Sequence, residues 1–383
     1  MVAVPKTLAI TQPTIQHAAI VLHAEEQPLR GVARPGTHEL YRNPRVTCEQ
    51  RALSPLQPDF VRVKMKYVGL CGTDLHLAEA DPNTGYVRTS SPASIPAKGR
   101  ILGHEGIGQI AQAGRNVPHL REGAWVIFDS IIACRQCDRC KRGFLNQCRH
   151  ARLLGLEEDG LFSASADLPA SIVHDVSAYI ESDADARALA LLEPAAVAFV
   201  ACRKAKVKRG ERLTIFGAGP IGTYCAMLAR NVFGAGEITV VEPVEFRRRF
   251  AARWAEHVFT PVEFSLSQCE SFDVAFEASG ALNNVDSVLP RMNAAGRIVV
   301  LGRSGEPLHL SATDDLITNA ISIMGSRGHH GGAYEMLQHL YAEKKFSPAD
   351  AVTSVISGLE KLAELMRSPD DVVQHDNKIL VQL

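Results

Sequence analysis

An excess of charge of either sign is absent from this chain. Its 383 residues carry 41 Lys and Arg against 42 Asp and Glu, a net charge of −1 with His neutral. No field of that size would hold nucleic acid or an anionic membrane, so neither is an expected partner. Aromatic residues are sparse at 6 %, yet the hydrophobic fraction is 46 %, enough for a buried core. Long apolar runs are missing. The most apolar stretch, Ala188 to Cys202, is cut by Glu193-Pro194 and is too short to span a bilayer. The opening residues have no long apolar core and do not read as a secretory signal. Nine cysteines, four of them clustered, do not form a disulfide framework in a chain this long, and a reducing cytoplasm is the expected setting.

What the chain does have is Cys134, Cys137, Cys140 and Cys148, spaced C-x2-C-x2-C-x7-C. Four thiolates that close on a turn-rich loop suit one soft tetrahedral metal, usually zinc. The bacterial iron–sulfur run is C-x2-C-x2-C-x3-C-P. Here the fourth cysteine comes too late and Arg149 follows it. Arg135, Arg139, Lys141, Arg142 and Arg149 complement a tetrathiolate site of net charge about −2. Four structural thiols without metal are the alternative, disfavoured because clustered free thiols are a redox liability.

The chain changes character near Glu193. Before it lie short strands and Gly/Pro turns, beginning with a strand over residues 17–23 and an alternating strand from Phe60. Residues 24–58 show little regular pattern. After Glu193 helices and apolar strands alternate, which predicts βαβ units and a parallel sheet. A helix over 246–256 belongs to this series, and a final strand is expected from Lys378.

Within that half, Leu213-Thr-Ile-Phe runs into Gly217-Ala-Gly219-Pro220-Ile221-Gly222, a G-x-G-x-x-G turn between a strand and a helix. Such a turn lets a pyrophosphate approach a helix N-terminus. Glu242 ends the next strand twenty residues later, where a carboxylate hydrogen-bonds a ribose diol and repels a 2′-phosphate. NAD is therefore expected over NADP. Arg247 complicates this, because an arginine nearby can serve a 2′-phosphate; stacking on adenine is the preferred reading.

Two further segments, Cys71-Gly72-Thr73-Asp74-Leu-His76 and Gly103-His104-Glu105-Gly106, complete the pattern. With the four-cysteine loop and GAGPIG following in order, the chain resembles the zinc-containing alcohol dehydrogenases of the medium-chain dehydrogenase/reductase superfamily. Leu191-Leu-Glu193-Pro194 is similar to the polyol and sorbitol dehydrogenase branch. The resemblance implies an α/β fold. A GroES-like, mainly-β catalytic domain would span residues 1–192 and 328–383, and a doubly wound Rossmann domain residues 193–327. It implies two zincs per chain. Cys71, His104 and Glu193, the last directly or through water, would bind the catalytic zinc, with Glu105 a further carboxylate that can approach it. Cys134, Cys137, Cys140 and Cys148 would bind the structural zinc. Asp74 would orient His104, Thr73 accept the alcohol hydrogen bond, and His76 pass the proton to solvent. Lys378 matches a basic residue that faces the cofactor phosphates. A homodimer or homotetramer is expected by analogy with the family.

The chain also departs from that pattern. Gly72 stands where some relatives carry arginine, and Val200 where the polyol branch often has histidine. Residues 82–97, rich in Pro, Ser and Thr, are expected to border the substrate cleft. The expected reaction is hydride exchange between NAD and a secondary alcohol or ketone of a polyol, sugar, cyclitol or aminocyclitol. An amino-alcohol dehydrogenase of the threonine type, and a non-catalytic zinc- or nucleotide-binding protein of the same fold, are the alternatives.

Overall fold

The computed structural model describes residues 16–268, 271–329 and 332–383. The opening fifteen residues therefore fall outside the described residues. The eight described cysteines are free thiols. No helix among the described residues is long and apolar enough to cross a membrane.

The first half is built on the strand Phe60–Leu70, which pairs antiparallel with Glu105–Ala113 on one side and Lys378–Gln382 on the other, and also with Ser165–Pro169. Alternation in Phe60–Leu70 buries Val61, Val63 and Met65, the inward positions of a period-two strand, until the register shifts after Met65. A separate sheet pairs Gln16–Glu26 with Tyr41–Ala52 from Gln16↔Ala52 to Glu26↔Tyr41. That second strand falls where the sequence predicts no regular structure. Only Tyr41 and Val46 of it are fully buried, and Pro44 interrupts it. The register shifts beside Pro44, where Asn43 takes φ +52°, so the proline sits at a bulge, one of the places a sheet accepts it.

The second half is a six-stranded sheet with all five pairings parallel. Its strands are Arg212–Phe216, Glu237–Val241, His257–Phe259, Phe272–Glu277, Met292–Val300 and Ser322–Gly325. Counted in chain order, they lie 3-2-1-4-5-6 across the sheet, a doubly wound arrangement with its switch point between Arg212–Phe216 and Phe272–Glu277. The helix expected over 246–256 is shorter, Glu245–Ala251, because the strand at His257 begins so soon.

Leu192–Ala205 joins the halves. Eleven of its fourteen residues are buried, and it shares one continuous core with Tyr67, Ile107 and Ile127 on one side and Leu213, Ile215 and Val240 on the other. The chain then returns. Val352–Ser357 and Lys378–Gln382 pair parallel, and the latter adds to Phe60–Leu70 with Ile379 opposite Leu70.

This return strand carries a buried ion pair. Lys378 is wholly buried, its ammonium paired with Glu105 and donating to the Leu70 carbonyl at 2.8 Å. The two residues flank Phe60–Leu70 and cross above Gly69, where an added Cβ would collide with the Glu105 carboxylate and press on Lys378. Burial works against the ammonium charge, but Glu105 together with Cys71 and Asp74 outweighs it and raises the Lys378 pKa. Removing one partner of such a pair leaves an uncompensated buried charge. Lys378→Met is expected to destabilise the protein by about 3–5 kcal/mol in urea titration, and adding Glu105→Gln should recover a substantial part.

Candidate active site and metal centres

Cys71 caps the short helix Gly72–Ala78, and its backbone N–H donates to Asp74 Oδ2 at 3.1 Å. Asp74 is wholly buried, and its other oxygen accepts from Gly103 N at 3.2 Å and faces His104 Nδ1 at 3.6 Å. One carboxylate thus ties together two segments thirty residues apart and turns Nδ1 of His104 toward itself, leaving Nε2 for a metal. Burial opposes charge on His104, yet Asp74 and then Cys71 outweigh it and hold its pKa well above the usual imidazole value.

Ligand atoms of Cys71, His104 and Glu105 lie within 4.8 Å of one another. Glu193, expected as third ligand, is not part of that group. It is buried, and its Oε1 accepts from Ser130 Oγ at 2.6 Å and lies 4.0 Å from His329 Nε2. His329 is itself held by Tyr334, whose hydroxyl is 3.0 Å from Nε2 and donates to the Phe128 carbonyl. The sequence offered no local signal for Ser130 or Tyr334, which reach Glu193 and His329 only through the fold. His330 lies outside the described residues. Thr73 and His76 share the Cys71 helix, Thr73 half-buried and His76 exposed. Although the residue as a whole is exposed, protein packed around the imidazole partly desolvates it and lowers its pKa, against the pull of Glu79.

The second donor set is Cys134, Cys137, Cys140 and Cys148. Tetrahedral zinc–thiolate bonds of ~2.3 Å require sulfurs about 3.8 Å apart. The observed separations are 4.0 Å for Cys134–Cys140, 3.5 Å for Cys137–Cys140 and 4.0 Å for Cys137–Cys148. Backbone N–H groups of Cys134 and His150 point at Cys148 Sγ, both at 3.3 Å. Those of Arg149 and Cys140 draw the Cys137 thiol down to about 6, whereas burial pushes Cys140 up to about 12. Four neighbouring thiols cannot all ionise without a cation between them, and the donor set fits one.

The glycine turn is shaped by contact. Gly217 has φ +90°, and an added Cβ on Gly222 would collide with the Gly217 carbonyl. At Gly219 the same addition would meet only Arg247 Nη1, at 3.7 Å, so open space is kept over the N-terminus of the helix Pro220–Leu228, where Ile221 follows in the first turn. Glu242 is buried, accepting from Ala218 N at 2.7 Å and Val244 N at 2.9 Å, so it lies against the turn. Arg247 lies beside Gly219 and donates to the Asp376 carbonyl at 3.3 Å. Lys378, expected at the cofactor phosphates, is paired with Glu105 and the Leu70 carbonyl. A fully buried ammonium needs a counter-charge, and Glu105 across Gly69 supplies it. Its neighbour Asn377 reaches the glycine helix instead, donating to Thr223 Oγ1 at 2.7 Å.

A doubly wound sheet with this turn, joined to a mainly-β half with an open donor set and a closed one, defines a zinc- and nicotinamide-dependent oxidoreductase. Residues 57–182 match the alcohol dehydrogenase GroES-like domain, and residues 220–342 the zinc-binding dehydrogenase domain. The chain is 30 % identical over 327 residues to a probable D-xylulose reductase A of Aspergillus clavatus, covering 81 % of this chain and 87 % of that protein. It is 28 % identical over 316 residues to a 2-dehydro-3-deoxy-L-galactonate 5-dehydrogenase of Pseudoalteromonas atlantica, covering 80 % and 87 % respectively. The crystal structure of 2R,3R-butanediol dehydrogenase from Bacillus subtilis shares the fold with a TM-score of 0.77 at 23 % identity, covering 96 % of this chain and 100 % of that one. The chain belongs to the zinc-containing alcohol dehydrogenases of the medium-chain superfamily, in the polyol dehydrogenase-like branch.

The two glycines separate packing from binding. Gly222→Ala is expected to cost about 1–3 kcal/mol or more of stability by overpacking. Gly219→Ala should change the urea midpoint little yet weaken nucleotide binding at least tenfold by calorimetry. Equal loss of stability in both would mean the space at Gly219 is not kept for a ligand.

Proposed function

We propose that the protein exchanges hydride between NAD and a secondary alcohol or ketone of a polyol, sugar, cyclitol or aminocyclitol. The observation that carries this reading is the convergence of Cys71, His104 and Glu105 on one buried point, with Asp74 behind them. When bound there, zinc supplies Lewis acidity to an alcohol oxygen, and the nicotinamide supplies the hydride acceptor. The chain's own residues do the rest. Cys71 and His104 furnish two ligands and a carboxylate the third. Glu105 stands within that set as the chain folds, and Glu193 stands nearby on Ser130, able to serve directly or through water. The Thr73 hydroxyl accepts the hydrogen bond of the substrate alcohol, and the exposed imidazole of His76 carries the released proton to solvent. Asp74 keeps the His104 ring in one orientation.

Gly217, Gly219 and Gly222 make room for the pyrophosphate at the N-terminus of the helix beginning Pro220-Ile221. Glu242 takes the adenosine ribose diol and disfavours a 2′-phosphate, and Arg247 stacks on the adenine. Cys134, Cys137, Cys140 and Cys148 hold a second, structural zinc with no position open to substrate. A cytoplasmic homodimer or homotetramer is the assembly this reading carries.

Metal analysis of the purified protein should give two zincs per chain, and Cys71→Ala should lose one of them together with activity. A single zinc untouched by Cys71→Ala would remove the catalytic assignment. In the same assays NADH should outperform NADPH, and the reverse order would overturn the role of Glu242.

A further inference from the structure

The parallel strands Met292–Val300 and Ser322–Gly325 end side by side, with Val300 opposite Gly325. Arg303 follows the first strand by three residues and Arg327 follows the second by two. Both therefore leave the carboxyl edge of the parallel sheet, where doubly wound folds bind ligands. Each belongs to a segment that crosses to the mainly-β half. The Arg327 carbonyl accepts from Asn146 Nδ2 of the cysteine lobe at 2.7 Å, Gly328 packs on Ile131, and His329 reaches Glu193. On the other segment, Gly305 lies against Ser90 and His38, a Cβ there falling 3.3 Å and 3.6 Å from their side chains. The two arginines thus stand on the segments that bridge the halves, one of them ending at Glu193.

Among the described residues neither guanidinium makes a side-chain hydrogen bond or ion pair. Arg62, Arg100, Arg230 and Arg297 each do. Arg303 is exposed and Arg327 half-buried. Burial first, and then the positive charge of Arg303, hold Arg327 below the usual guanidinium range. Glu157 opposes this from nearby, but its Oε2 accepts from Leu153 N at 3.1 Å and it forms no pair with Arg327. Arg139 adds to the repulsion and the Cys148 thiol, with Glu157, only partly relieves it. Two like charges brought together, one of them partly desolvated and neither in an ion pair among the described residues, are a cost that an anion between them would offset. That anion is not the cofactor pyrophosphate, whose glycine turn follows Arg212–Phe216, two strands from the strand before Arg303 and three from the strand before Arg327, and so roughly 10–14 Å away across the sheet.

We propose that Arg327, with Arg303 at the rim, forms a subsite for an anionic oxyacid group, carboxylate or phosphate, on the non-reacting end of the substrate. The guanidinium fork matches both groups. The proposal rests on the dehydrogenase reading above and narrows its substrates to polyol derivatives carrying negative charge.

The test uses the full-length zinc enzyme with NAD, an alditol, the aldonate of the same chain length and the corresponding alditol phosphate, read by NADH absorbance. At least one anionic substrate is expected to exceed the alditol tenfold or more in kcat/KM, and the better of the two identifies the source of the charge. Arg327→Gln should lower that ratio about 10–100-fold, mainly through KM, the loss of one charge-assisted contact. Arg303→Gln, at an exposed position that does not threaten folding, should lower it less. Lys361→Gln, on an exposed helix outside these segments, should leave the ratio unchanged. Preference for the neutral alditol, or an Arg327→Gln loss equal for neutral and anionic substrates, overturns the subsite while leaving the dehydrogenase reading intact. Failure to oxidise any alcohol with NAD or NADP would strike that reading itself, and the subsite with it.

Discussion

Asp74 is the group on which the candidate site depends. Cys71 and His104 come from separate segments, one at the start of a helix and one at the mouth of a strand. The backbone ladder between Phe60–Leu70 and Glu105–Ala113 ends at Gly69↔Glu105, just short of both. The Asp74 carboxylate continues the tie beyond it, accepting from Cys71 N and Gly103 N while facing His104. A wholly buried carboxylate must be satisfied, so its demand for donors fixes the geometry of its neighbours. Its place in the first turn of the Gly72–Ala78 helix adds a favourable interaction with the helix dipole.

A second constraint arrives from the far end of the chain. Lys378 neutralises Glu105 only because the chain leaves the parallel sheet and inserts its last strand beside Phe60–Leu70. Gly69 lets the pair pass over that strand. The site therefore closes late in the chain, and its ionic balance depends on docking of the return segment. Asn377, next to Lys378, ties the same strand to Thr223 on the glycine helix. One short strand thus links the candidate metal pocket to the nucleotide turn.

This division explains what could be read from the sequence. Ligand spacing, the glycine turn and the shift from period-two to alternating βα patterns are local, and the four cysteines, Gly217–Gly222 and the parallel sheet follow from them. The resemblance that named Cys71 and His104 rests on equally local motifs. The strand Tyr41–Ala52 was illegible because its side chains are mostly polar and Pro44 breaks the pattern; backbone pairing with Gln16–Glu26 makes it a strand. Lys378 was recognisable as a significant basic residue, but its partner is 273 positions away and nothing local distinguishes a phosphate from a buried carboxylate. Ser130 and Tyr334 were silent for the same reason, since each acquires meaning only beside Glu193 or His329.

The charge around the open donor set supplies the last step. Asp74 and Glu105 are buried acids near the Cys71 thiol, buried Glu193 adds its charge to that of Glu105, and Lys378 is the one fully buried lysine among the described residues, set against them. Asp74 and Cys71 favour a proton on His104, raising its pKa against the cost of burial. A divalent cation balances such a pocket better than a proton, because it interacts with thiolate, imidazole and carboxylate at once and releases that proton from the ring. The acidic excess is costly without a metal. The same excess would hold a cation with part of its coordination left to an incoming alcohol, whereas four cysteines would close fully around one.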